Sequence, residues 1–136
     1  MPNPSPEPLS LPADIAGWRS FAEDRPSERR ERVAAIDARL TAEPDLALTQ
    51  RLALWNEAEI ALAEAAAPSH LISESHPDAA VRDAAEKQAQ AVDAAQSRRL
   101  LDRDLWGVFA DADAAGLEPD EQRLLDHVRR DFRRGG

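Results

Sequence analysis

Residues 45–67, DLALTQRLALWNEAEIALAEAAA, decide the fold class. Leu48, Leu52, Trp55, Glu59 and Leu62 recur at intervals of three or four, which sets them along one side of a helix. A half-buried strand would instead alternate every second residue. Asp45 stands where a negative charge complements the amino end of that helix, and Pro68 is expected to stop it.

Upstream, Ser27 is a plausible cap for a short helix running to about Thr41, with Val33, Ala35, Ile36 and Leu40 on one side and Glu43-Pro44 at its end. Before it, Ile15, Trp18 and Phe21 form an apolar cluster expected to make one helical turn that docks on the body. Residues 1–13 hold five of the ten prolines, a composition that reads as an extended or disordered arm.

Downstream, His70 to Ser75 reads as a short link. Pro77 restricts His76 to extended geometry and itself suits the first turn of a new helix, whose dipole Asp78 complements. Val81, Ala85, Ala89, Val92 and Gln96 form the stripe of this helix, so poor in large residues that a neighbour can pack very closely. Asp78 with Arg82 and Asp83 with Lys87 are expected ion pairs one turn apart. Between Ser97 and Asp102 the phase changes, predicting a kink or break. Leu101, Leu105, Val108, Phe109 and Ala112 continue to Gly116, a left-handed stop. The last helix spans Pro119 to Arg134, with Pro first, Asp120 and Glu121 in its first turn, and Leu124, Leu125, Val128 and Phe132 as its buried face. The expected fold is therefore all-α: an antiparallel helical bundle of about five helices, one domain over residues 14–136.

The core available to this bundle is thin. Of the 136 residues, 27 are Ala, whereas Leu, Ile, Val and Phe together also number 27, near the lower compositional bound for a folded chain. The helices either pack closely through Ala or complete their apolar faces against another surface. Net charge is −9, and sixteen Arg stand against one Lys, a bias attributed to GC-rich coding. An acidic chain argues against nucleic-acid or anionic-membrane partners. With no Cys, thiol and disulfide chemistry are excluded, and no signal-type or membrane-spanning apolar run occurs, so a cytoplasmic location is expected.

Candidate chemistry is sparse. None of the three His stands in a His-Glu-x-x-His zinc arrangement, and His70 with Glu74 or His127 with Asp131 supplies too few ligands for a firm metal site. His76 is best placed as a structural residue, its ring hydrogen-bonded to a neighbouring loop or helix end. Arg129, Arg130, Arg133 and Arg134 are explained by the dipole of their own helix. Trp18, Trp55 and Trp106 are expected core or interface anchors. No catalytic, cofactor-binding or metal residue is assigned.

The segment His76-Pro77-Asp78, followed by Val81-Arg82-Asp83-Ala84-Ala85 and later by Arg123-Leu124-Leu125 running into Asp131-Phe132-Arg133-Arg134, resembles the amino-terminal helical region of the thimet oligopeptidase family of zinc metallopeptidases. The resemblance covers roughly Leu46 to Arg134. It implies that His76, Pro77, Asp78, Val81, Arg82, Asp131, Phe132 and Arg133 are structural, and that zinc and the catalytic helix lie in a portion that would follow. The expected function is accordingly a non-catalytic scaffold fragment of a peptide-degrading zinc enzyme, its partner being the missing catalytic part. A standalone helical interaction module, or one half of a split peptidase, are the alternatives.

Overall fold

The computed structural model describes residue 12 and residues 14–135, and among these it contains five helices and no strand: α1 (Ile15–Ala42), α2 (Leu48–Ser75), α3 (Ala79–Leu101), α4 (Arg103–Ala110) and α5 (Pro119–Gly135). The all-α bundle expected from the periodicity is what the chain adopts. Apart from Pro12, the expected arm at residues 1–13 lies outside the described residues.

Three long helices form the body. Arg29 and Arg32 of α1 meet Glu64 and Glu57 of α2, so rising numbers face falling ones and the pair is antiparallel. Arg30 and Asp37 of α1 meet Gln88 and Arg99 of α3, so α1 and α3 run parallel. The short α4 and α5 then close one end.

Two helices are longer than the sequence predicts. The Ile15–Phe21 cluster and the Ser27–Thr41 segment are one helix, capped not by Ser27 but by Asp14, whose carboxylate accepts from the Gly17 N–H at 2.7 Å. Likewise α2 does not stop at Pro68 but continues through the supposed link to Ser75. The physical reason is shared. Pro26 and Pro68 each remove one backbone donor, and the following Ser27 and Ser69 turn their hydroxyls back onto the Glu23 and Ala65 carbonyls, both at 2.8 Å. Tertiary burial of Pro26 and Ser69 then outweighs the local preference to break. Because Arg29 faces Glu64, the two Pro-Ser pairs sit at nearly the same height of the α1–α2 pair.

The break at Asp102 appears as predicted: its carboxylate accepts from the Asp104 and Leu105 N–H groups and starts α4 in a new direction. Leu101, expected on the buried stripe, is consequently turned outward and exposed. Gly116 adopts φ +85°, the left-handed conformation expected of a stop, although α4 itself ends six residues earlier.

The core divides in two. The larger part gathers Val33, Ile36 and Leu40 of α1, Leu52, Trp55 and Leu62 of α2, Val92 of α3, Leu105 and Phe109 of α4, and Leu125, Val128 and Phe132 of α5. The smaller is built from Ala22, Ile72, Val81, Ala84 and Ala85, with Trp18 and Phe21 half-buried against it. Ala58, Ala65 and Ala85 are wholly buried, the close Ala-mediated packing the composition anticipates.

Candidate functional site

The most unusual side chain is one that sequence reasoning passed over. Arg99, in the last turn of α3, is only 4% exposed, although guanidinium groups are rarely buried unless paired. Its Nε and Nη2 donate to the two oxygens of Asp37 at 2.8 and 3.1 Å, a bidentate fork, and its Nη1 donates to Glu59 at 2.6 Å. Gln96, one turn before Arg99, donates to the other Glu59 oxygen at 3.4 Å. The guanidinium carbon lies 3.9 Å from the centre of a Trp55 ring, so the cation is stacked as well as paired. Three helices thus converge on one charge.

Burial pushes the Asp37 carboxyl above its ordinary range, against the opposing pull of the Arg99 hydrogen bonds. A carboxyl perturbed in this way beside a cleft is a reasonable place to look for chemistry. Here a cleft of about 550 Å³ between α1 and α3 does open over the group, lined by Arg30, Asp37, Arg98, Arg99 and Asp102. Yet both Asp37 oxygens are already held by Arg99, and Asp102 is occupied in capping α4. Asp37, Glu59 and Arg99 are thus turned on one another, while Gln96 Oε1 and, in the cleft wall, Arg30 Nε are buried without a hydrogen-bond partner among the described residues. Its signal in the sequence was Glu59, an ionisable residue at an otherwise apolar position of the α2 stripe, matched by Gln96 on the α3 stripe.

The motif residues gather at two separate places. His76 ends α2, and its Nδ1 accepts the Asp78 N–H at 3.1 Å while its ring leans on Trp18, centres 5.2 Å apart. Asp78 caps α3 by accepting from the Val81 N–H at 3.1 Å, and Val81 is fully buried in the smaller core. Arg82 does not pair with Asp78. Its Nη1 instead donates to the His76 and Pro77 carbonyls, at 2.8 and 2.9 Å, in the turn between α2 and α3. At the far end of the chain, Phe132 is buried in the larger core against Trp55 and Trp106, Asp131 lies 3.2 Å from His127, and Arg133 is exposed. The fold therefore does not bring the His76–Arg82 and Asp131–Arg133 segments into one site.

Arg82 belongs to a pattern. Arg129 donates to the Phe109 and Ala112 carbonyls at the end of α4, at 3.0 and 2.9 Å, and so serves a neighbouring helix rather than only its own dipole. Arg51 spans the Pro44, Leu46 and Val108 carbonyls. A planar fork with several donors can bridge two carbonyls where a Lys ammonium offers a point charge. The preference for Arg over Lys thus has structural uses beyond coding bias.

His70 lies 3.8 Å from Asp93 of α3. The three His occupy separate surroundings, and among the described residues no group of three or more His, Cys, Asp or Glu is placed to hold a metal ion. No helix among the described residues is long and apolar enough to cross a membrane.

A second concavity, about 530 Å³, lies at the opposite end of the long helices, where Trp18 and Phe21 of α1 face Pro68, Leu71 and Ile72 of α2 with His76 at the rim. Its walls are almost wholly apolar, and Leu71 is 65% exposed. Comparison with protein-family models, curated proteins and solved structures found no match.

Proposed function

We propose that this chain is a non-catalytic helical scaffold, of the kind that forms the amino-terminal part of a thimet-type zinc oligopeptidase. The observation that carries the reading is the work done by the motif residues: Asp78 caps α3, Arg82 ties off α2, Val81 and Phe132 fill the two cores. Each acts on the framework. The Arg99 cluster supports it too, because its acids and donors are turned on one another. On this reading the partner is the portion carrying the zinc helix, which supplies the metal and the water-activating Glu; nucleic acid and membrane are not partners, and the setting is cytoplasmic.

The test is to incubate the purified chain with zinc and an internally quenched oligopeptide. No cleavage is expected, and hydrolysis that a chelator abolishes overturns the proposal.

A second reading, a standalone interaction module, is favoured by the larger core, in which Trp55, Leu105, Phe109, Leu125 and Val128 are at most 2% exposed without any companion. Cooperative urea unfolding as a monomer whose stability no candidate companion raises would select the module. Marginal stability that a companion portion restores selects the oligopeptidase scaffold.

A further inference from the structure

The cleft between α1 and α3 has a part that the Arg99 cluster does not use, and we propose that it binds a small carboxylic acid, with the carboxylate on Arg30 and a short apolar stem along Ala34 and Ala95. The state of the Arg30 guanidinium is the lead observation. Its Nη2 donates to two neutral acceptors, Gln88 Oε1 at 2.7 Å and Ser27 Oγ at 3.2 Å, which hold the group in place without neutralising it. Its Nε is buried with no acceptor among the described residues. The neighbouring Arg29 and Arg32 each meet a glutamate of α2, whereas Arg30 forms no ion pair with any described carboxylate. A donor buried without an acceptor is costly, and an anion beside the guanidinium offsets that cost through the charge of the whole group.

The remaining charges of the cleft leave room for that anion. Asp37 is held by Arg99, and Asp102 accepts the first N–H groups of α4. Among the lining acids only Glu31 is uncommitted, and it is exposed. Against it stand two uncommitted cations, Arg30 in the wall and the exposed Arg98 at the opening. A planar guanidinium receives a carboxylate on two donors at once. Nη1 of Arg30 donates to no described group, and the longer Nη2 contact, to Ser27, is the one a ligand oxygen can displace. Ser27 loses little by this, because its hydroxyl keeps its own bond to the Glu23 carbonyl at 2.8 Å.

The apolar lining selects a carboxylate with a stem over a bare anion. Ala34 and Ala95 offer methyl groups from the two helices, and beneath them Val33 and Leu105 are 3% and 1% exposed. At about 550 Å³ the cleft lies within the range of small-molecule sites, roughly 300–1,000 Å³. Inorganic phosphate could meet Arg30 but has nothing to lay on that floor. Nothing in the site requires the oligopeptidase reading.

Butyrate is the probe, added to the full chain just below neutral pH, where it is ionised. The readout is the nitrogen–proton correlation of Arg30 Nε, assigned by its loss in Arg30→Gln, together with the backbone amides of residues 30–34 and 95–98. Titration should move these signals together with a dissociation constant on the order of millimolar, the range for a ligand of about six heavy atoms. Arg30→Gln should weaken binding about tenfold or more, read from the backbone amides. Ala34→Leu, a change at an exposed helical position that fills the floor and spares Arg30, should abolish binding while the amide spectrum stays folded. Butyramide, with the same stem and no charge, should leave Arg30 unmoved. An Arg30 signal that butyrate does not shift saturably overturns the proposal, as does an equal response to butyramide. Phosphate binding as tightly as butyrate, or butyrate binding unchanged in Ala34→Leu, overturns it too, because the stem would then contribute nothing.

Discussion

A guanidinium taken out of water must have both its charge and its donors satisfied, and Arg99 obtains this from Asp37, Glu59 and the face of Trp55 together. Removing the cation alone leaves two carboxylates facing each other across a hole. Arg99→Ala is therefore expected to cost about 3 kcal/mol, the lower end for breaking a buried pair because Asp37 and Glu59 keep some solvent access. Replacing the whole group by Met at 99 and Leu at 37 and 59 should be far milder, within about 1 kcal/mol of the parent. Urea midpoints of the two proteins give the comparison, and a triple variant as unstable as Arg99→Ala would refute it. The same group sets a pH dependence. Burial raises the folded-state pKa of Asp37, so on acidification the folded chain takes up this proton before the unfolded chain does. The cost of the buried charge is fully present above that folded pKa and is relieved as pH falls through it, so this one group makes stability rise on mild acidification. Asp37→Asn removes the effect. Measured from neutral pH down through the carboxylate range, the parent should gain stability relative to Asp37→Asn, and a constant difference between them would contradict the sign.

At the scale of the helices, three prolines explain where the sequence was legible and where it was not. Pro77 ends α2 because its predecessor, His76, is extended and Asp78 immediately offers a cap to α3; every local signal agrees there. Pro68 and Pro26 send the same signal but are overruled, since the apolar faces continue beyond them and bury Pro26 and Ser69, while Ser69 and Ser27 add hydroxyl bonds to the neighbouring Ala65 and Glu23 carbonyls. Local chemistry cannot announce that. Pro68→Ala restores a helical N–H, a gain that should exceed the modest loss of rigidity in the unfolded chain, so stability is expected to rise by roughly 1 kcal/mol. A fall in the thermal midpoint would mean that the ring's own packing is what holds this turn. The opposite expectation applies at Asp102, where one carboxylate starts α4 through two backbone N–H groups; Asp102→Ala should cost about 1 kcal/mol by urea titration. The α3–α4 break was readable from a different signal, the change of phase in the apolar stripe between Ser97 and Asp102. The buried Arg99 was not, because its partners lie 62 and 40 residues away and only Glu59 and Gln96 on their stripes hinted at a polar interior.

Over the whole molecule, the uneven division of the core predicts uneven persistence of structure. The end built from Ala22, Ile72, Val81, Ala84 and Ala85 contains few large side chains, whereas at the other end Trp55 packs against both Phe132 and Phe109, ring centres 5.1 and 5.5 Å apart. Local opening follows the density of buried apolar contacts. Native-state hydrogen exchange should therefore be faster in residues 18–25 and 79–86 than in residues 52–62 and 125–132, and equal rates would show that the bundle opens only as a unit. The three indoles happen to be distributed along this same axis, Trp18 at the small core, Trp55 at the centre of the large one and Trp106 at its α4–α5 margin. A chain without Tyr carries no competing phenolic emission. Proteins retaining one indole each would make the bundle legible by light: the emission colour of Trp18 would report when its loose end lets in water, and that of Trp55 when the molecule as a whole gives way.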